Sequence, residues 1–320
     1  MQKELAFIWH RNATVFGGFG RWPHAGPTTV GLPCNPTAIG GPLSEEMAAG
    51  PAPACGRRRY TVGSMRQART SRAEVVVLKG IDYGETDKIL TLYTLHGGKV
   101  RAVAKGVRRV TSKMGGHLDL LAHATVLLVH GRNLEIVTQG RGLHSFPHLR
   151  EDLGRMAKAF YAVELVDRFT EDQQPNPDLF RVLVRTLERI DEAAEPDKAL
   201  LLFTLQLLAL SGYRPQFHQC VLCNTAIQPG NNYVAAALGG VLCPSCGPTQ
   251  AIARPISTPA LKLLRNFQTR GESMLDVPVG QQIIDEVDSA LSAYVQFLLE
   301  RRPKSAAFLD TVRRMDGAPA

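Results

Sequence analysis

Cys220-Val221-Leu222-Cys223, followed after 19 residues by Cys243-Pro244-Ser245-Cys246, is the stretch that decides how the C-terminal half must be built. Two Cys-x-x-Cys knuckles at this separation can present four thiolates to one tetrahedral ion, with metal–sulfur bonds of ~2.3 Å. Asn224, Gly230, Gly239-Gly240 and Gly247 supply the tight turns that such knuckles need. Four thiolates leave no open coordination position, so the spacing predicts a structural zinc ion held by Cys220, Cys223, Cys243 and Cys246, not a catalytic one. A redox dithiol needs one exposed pair, not two facing pairs. The other two cysteines, Cys34 and Cys55, lie in an unpatterned stretch. Residues 1–21 lack the basic start and sustained apolar core of an export signal. Disulfides are therefore a poor account of the pairs, and the chain reads as cytoplasmic.

Around the cysteines the texture is helical. Residues 156–169 place Phe160, Val163, Leu165 and Val166 on one side, and residues 176–190 space Leu179, Leu183, Val184 and Leu187 helically. Residues 196–211 are almost wholly apolar and are expected to be central, with Gly212-Tyr213-Arg214-Pro215 as the stop. Further helices are expected over 258–270 and 281–301. These apolar stripes read as core packing. No apolar run approaches the ~20 residues that span a bilayer.

Upstream, residues 74–139 carry β texture: a Val-rich run at 74–79, alternation over 88–95 and 99–103, an apolar run at 124–129, and 134–138 after a Gly131-Arg132-Asn133 turn. His96-Gly97-Gly98 is the expected hairpin turn between the second and third strands. Five short strands suit a small barrel and raise the OB-fold, whose open face often holds single strands. The expected fold is thus α+β and multidomain: an OB-fold β-barrel over residues 65–146, then an α-helical domain over 147–320 with a four-cysteine zinc finger inserted at about 216–250. Residues 1–64 are punctuated by glycine and proline without periodicity, and are expected to be disordered or a non-native extension ahead of Met65.

Charge agrees with this division. Of the net +8, the 86 residues from Met65 to Arg150 contribute +8, residues 1–64 add +3, and residues 151–320 contribute −3. That asymmetry points to a polyanion. Lys99, Arg101, Lys105, Arg108, Arg109 and Lys113 fall within 15 residues, with Gly106 at the bend. A cationic strand and loop can follow a phosphate backbone without reading bases. Lys99, Arg101 and Lys105 share strand parity and are expected on one face. Tyr93, His96 and Phe146 are the stacking candidates, each more simply read as structural.

Catalytic signatures are missing. No histidine is followed two residues later by Glu, as a zinc deaminase requires, and Gly98-Lys99 is followed by Val100, so there is no phosphate loop. Asp82, Glu85 and Asp87 could suggest metal-assisted cleavage but read better as a polar turn. No catalytic residue is assigned, and a zinc hydrolase would need an open metal position.

Taken in order, Tyr83-Gly84-Glu85-Thr86-Asp87, Gly98-Lys99 through Val103-Ala104-Lys105-Gly106-Val107-Arg108-Arg109 to Ser112-Lys113, Leu207 through Pro215, the four cysteines, and Lys304-Ser305 with Phe308-Leu309 resemble the RecO family of recombination mediators. The resemblance covers residues 73–309. It implies the OB-fold, the helical domain with an inserted zinc finger, binding of single- and double-stranded DNA, and annealing of complementary strands. It also implies partnership with RecR, and relief of the block that single-strand-binding protein places on RecA loading. It carries DNA contact to Lys99, Arg101, Lys105, Arg108, Arg109 and Lys113, although Val110-Thr111 stands where a further basic or proline residue is expected. The competing expectation is a zinc-ribbon, RNA-binding transcription or translation accessory factor.

Overall fold

Alternation of side chains is what closes the N-terminal half. In the computed structural model, which describes residues 70–316 apart from Val110, Lys113 and Arg132, strands β1 (Thr70–Tyr83), β2 (Asp87–Thr94), β3 (Gly98–Ala104), β4 (His123–Val129) and β5 (Glu135–His144) form a closed barrel in the order β1-β2-β3-β5-β4. The β3–β5 pair is parallel and the others antiparallel, an OB-like arrangement. Val75, Val77, Leu90, Leu92, Ala102, Ala104, Ala124 and Val126 fill the barrel. Residues of opposite parity, Val76 and Tyr93, are equally buried but face a different core, shared with the helices. A bulge between Val77 and Lys79 then shifts the register of β1. The expectations for residues 1–64 fall outside the described residues.

Pro147 ends the β region, and helices follow: α1 (Pro147–Glu151), α2 (Leu153–Phe169), α3 (Pro177–Glu192), α4 (Pro196–Leu210), α5 (Thr258–Arg270), α6 (Gln281–Leu299) and α7 (Lys304–Asp316). Their starts are written in local chemistry. Asp152 caps α2 by accepting from the Arg155 N–H (2.8 Å), Asn176 caps α3 through the Leu179 N–H (3.0 Å), and Ser257 caps α5. The apolar helix α4 is the partition between two cores. Leu200, Phe203 and Leu207 pack toward the barrel-side core with α2 and α3, whereas Leu201, Leu202, Leu205 and Leu208 pack toward the cysteine region with α5 and α6. Among the described residues, no helix is long and apolar enough to cross a membrane.

β1 runs beyond the expected 74–79, and α1 and α7 lie outside the expected helices. β5 continues through Gly140 and Gly142 to His144, where apolar alternation has stopped; Gly140 is packed so closely on Leu118 that a Cβ would lie 3.2 Å from it. Helix α7 is docked by a single carboxylate. Glu164 on α2 accepts from the Lys304 N–H (3.0 Å), the Ser305 N–H (2.7 Å) and the Ser305 hydroxyl (2.6 Å). Burial raises the Glu164 carboxyl, but these bonds outweigh it and hold the group below its ordinary range.

Barrel and helices meet at Gly98-Lys99. Gly98 has φ +69°, and a Cβ there would lie 2.3 Å from the Gln174 carbonyl oxygen, so a side chain is excluded on two counts. Lys99 is buried. Its Nζ donates to the Asp167 carbonyl (2.7 Å) and the Thr170 carbonyl (2.8 Å) at the C-terminal end of α2, and reaches the Asp167 carboxylate at 3.2 Å. In return the Gln173 N–H donates to the Lys99 carbonyl (2.9 Å). Carbonyls in the last turn of a helix lack intrahelical donors, and an ammonium there also meets the negative end of the helix dipole.

Lys99→Ala is therefore expected to destabilise the fold by about 1–3 kcal/mol, the cost of leaving part-buried helix-end carbonyls without a donor. Thermal melting should show it, while Arg101→Ala, whose exposed guanidinium faces Asp172 at 3.7 Å, should change melting by no more than about 0.5 kcal/mol. Equal effects from the two variants would contradict the junction.

Candidate nucleic-acid interface and metal centre

The cationic segment 99–113 does not act as one surface. Lys99 was expected on the exposed face of β3; it keeps the predicted parity with Arg101, but that face is covered at this point by the end of α2 and the residues after it, and Lys99 is consumed by the junction. Arg101 is exposed, with Asp172 beside it. Lys105, Arg108 and Arg109 are exposed on the loop that follows β3, and Lys113 lies outside the described residues. Three of the six expected cations are thus brought together on one loop, a fourth stands nearby on β3, and Lys99 does not join them.

That loop is held in place by the β1–β2 hairpin. The Gly106 N–H donates to Asp87 Oδ1 at 2.7 Å, and the Arg108 N–H donates to the Thr86 carbonyl at 2.9 Å. The Arg108 guanidinium reaches the Gly84 carbonyl (3.5 Å) and lies 3.4 Å from Asp82. Gly106, at φ +64°, lets the chain turn back onto the hairpin. The hydrogen bond from Gly106 is the main reason the Asp87 carboxyl sits below its ordinary range, with Thr86, Lys105 and Arg109 acting the same way. Asp82 and Asp87 are engaged with the basic loop, which is what a polar turn requires and a hydrolytic metal pair does not. The sequence reading missed Asp87 as a latch because its partner stands 19 residues away.

Of the stacking candidates, Tyr93 is fully buried with its hydroxyl directed to the Asn176 carbonyl (3.4 Å), and Phe146 is buried beside His144. Both are structural. His96 is exposed in the β2–β3 turn.

The four cysteines come together as the spacing requires. Their sulfurs lie within 4.8 Å of one another, with Cys223 and Cys243 3.7 Å apart. A tetrahedral ion with ~2.3 Å bonds spaces its sulfurs about 3.8 Å apart, so the cluster matches the size of one such ion. Each knuckle is closed by backbone bonds: the Asn224 N–H donates to the Cys220 carbonyl and the Gly247 N–H to the Cys243 carbonyl, both at 2.9 Å. Gly247 is required for a steric reason, since a Cβ there would meet the Tyr233 ring at 2.1 Å. The hydroxyl and N–H of Thr225 pull the Cys223 thiol down to about 6, whereas hydrogen bonding with Cys243 and Cys223 holds the Cys246 thiol up at about 12.

The cysteine cluster does not hang free of the domain. Strands β6 (Asn232–Ala235), β7 (Gly240–Leu242) and β8 (Arg254–Ile256) form a small sheet in the order β7-β6-β8. Cys220, Phe217, Ile227, Val241 and Leu242 share one core with Leu261 and Leu264 of α5 and Leu291 of α6. Arg265 on α5 donates to the Phe217 carbonyl at 2.8 Å.

Residues 65–146 match the family model described as recombination protein O N terminal, and residues 150–307 match recombination protein O C terminal. The chain belongs to the RecO family. Similar members include the DNA repair protein RecO of Roseiflexus sp. (strain RS-1), 39% identical over 248 residues, covering 77% of this chain and 87% of that protein. RecO of Dehalococcoides mccartyi (strain ATCC BAA-2100 / JCM 16839 / KCTC 5957 / BAV1) is 36% identical over 253 residues, covering 79% of this chain and all of the relative. RecO of Bacillus pumilus (strain SAFR-032) is 31% identical over 245 residues, 76% and 95%. These relatives carry the name of DNA repair proteins, and this RecO-family chain presents the barrel, helices and cysteine cluster together.

Two outcomes follow from the geometry. Changing Cys220 and Cys223 to Ser should abolish the binding of one metal ion per chain and lower the melting temperature, because Cys220 lies in the core shared with α5; full metal content with unchanged melting would contradict the site. Asp87 has a depressed folded-state pKa, so its contribution is present above the ordinary carboxylate range and is lost as pH falls through its folded value. Hydrogen exchange at the Gly106 amide should accordingly stay protected from neutral pH down to the ordinary carboxylate range and lose protection in Asp87→Ala.

Proposed function

We propose that this RecO-family chain is a non-catalytic recombination mediator in DNA repair. It binds single- and double-stranded DNA, anneals complementary strands and, with RecR, helps RecA load onto DNA coated by single-strand-binding protein. In this reading residues 65–146 are the DNA-binding barrel, residues 147–320 the helical domain with the finger at about 216–250, and the ion of the four cysteines is structural zinc. The protein works in the cytoplasm on the nucleoid. Lys105, Arg108 and Arg109, exposed on a loop that the hairpin holds, carry the reading. They join Arg101 and Lys113 as the DNA contacts, and Lys99 supports them from behind.

Annealing needs no catalytic residue. A cationic surface lowers the repulsion between two phosphate backbones, and base pairing supplies the driving force. Thiolate donors and tetrahedral spacing suit zinc, which would fix the finger and take no part in chemistry.

Complementary oligonucleotides coated with the cognate single-strand-binding protein should pair faster when the protein is added without nucleotide, with both strands recovered intact. Replacing Lys105, Arg108 and Arg109 by Ala should weaken DNA binding and reduce the salt slope by about 2. Tight binding without faster pairing would remove the mediator role, and an RNA preference would favour the accessory-factor reading.

A further inference from the structure

The barrel face beside the cationic loop is apolar where it should be polar. Beyond the bulge after Val77, register shifts so that Lys79, Ile81 and Tyr83 point away from the barrel interior. Ile81 pairs with Ile89, and Ile89 with Val103, which makes an apolar row across three strands. Ile81 is 52% exposed and Tyr83 55% exposed. The next row, Lys79, Thr91 and Arg101, ends in a cation at either side. On the opposite flank Arg108 reaches over to Gly84, the residue after Tyr83. The face is therefore a strip of apolar surface and one aromatic ring flanked by cations; Asp87, opposite Tyr83, is committed to the Gly106 amide, and Arg108 lies 3.4 Å from Asp82.

We propose that Tyr83, with Ile81 next to it on the same strand face, is a base-stacking platform for single-stranded DNA, an inference that rests on the DNA-binding reading above. The occupant follows from the pattern. A single strand offers flat apolar faces alternating with phosphates, and this strip offers the complement of both. A duplex buries its base faces in its own stack and can use only the cations. Base–aromatic stacking is tolerant of sequence, as strand annealing requires. It also engages the face of the base and leaves the Watson–Crick edge open to a complementary strand, so holding and pairing are compatible.

The test compares wild type, Tyr83→Ala, Tyr83→Phe and Arg108→Ala on a deoxythymidine oligonucleotide of about 15 nucleotides and on a duplex of equal length, across a salt titration. Tyr83→Ala should lose about tenfold in single-strand affinity with the salt slope unchanged, and keep its duplex affinity. Tyr83→Phe should retain the wild-type affinity. A 2-aminopurine base in the oligonucleotide should be quenched by wild type and by Tyr83→Phe, and not by Tyr83→Ala. Arg108→Ala should weaken both substrates and flatten the slope. Because Tyr83 is exposed, melting of all the Tyr83 variants should match wild type. Equal single-strand affinity in Tyr83→Ala and wild type would overturn the platform and leave the DNA-binding reading standing. Equal losses on both substrates with a flatter slope would overturn it too. Wild type that binds neither substrate would remove both readings.

Discussion

An ammonium group closing the end of a helix sets the geometry of the described residues. Lys99 leaves the barrel at the start of β3 and ends among the carbonyls of Asp167 and Thr170, which α2 cannot satisfy itself. Gly98 makes the approach possible by having no side chain where Gln174 passes. A barrel tethered only by a linker would leave its cationic loop free to turn. Here β3 is fixed at its first residues, and the loop that follows β3 inherits that orientation. Tyr93 on β2, its ring tilted against Phe180 of α3, repeats the weld one strand away.

From that fixed strand the cationic loop acquires its shape by short local bonds. Asp87 receives the Gly106 amide and Thr86 receives the Arg108 amide, so the hairpin and the loop form one ledge. The arrangement separates two jobs that the sequence places side by side. Lys99 spends its charge on structure, where desolvation is offset by three partners. Lys105 and Arg109 keep theirs at the surface, and Arg108, also exposed, shares its charge with Asp82.

Legibility in the sequence followed the range of the interaction. The four cysteines were readable because their ligand geometry is encoded in spacing alone. The five strands and the central α4 were readable because periodicity is local. The burial of Lys99 was not, since its partners lie 68 and 71 residues away and nothing near Lys99 distinguishes it from Arg101. Nor was the outward turn of Ile81 and Tyr83, because a one-residue bulge reverses every side chain beyond it. Helix α7 shows an intermediate case. Its Lys304-Ser305 start supported a family resemblance, yet the reason for those residues is the Glu164 carboxylate 140 residues upstream.

The finger is best understood as part of the helical core, not as an appended module. Its strands contribute Val241 and Leu242 to the same apolar cluster as α5 and α6, and α4 divides that cluster from the one that receives the barrel. A metal ion at the four sulfurs would thus order the far side of the wall against which the barrel-side helices pack. The cations belong to the barrel loop, and the cysteines belong to the core on the other face of α4. The core around the cysteines packs on one face of α4, α2 packs on the other, and the end of α2 holds Lys99. These packing and hydrogen-bond contacts connect the cysteine-bearing segment to the placement of the basic loop.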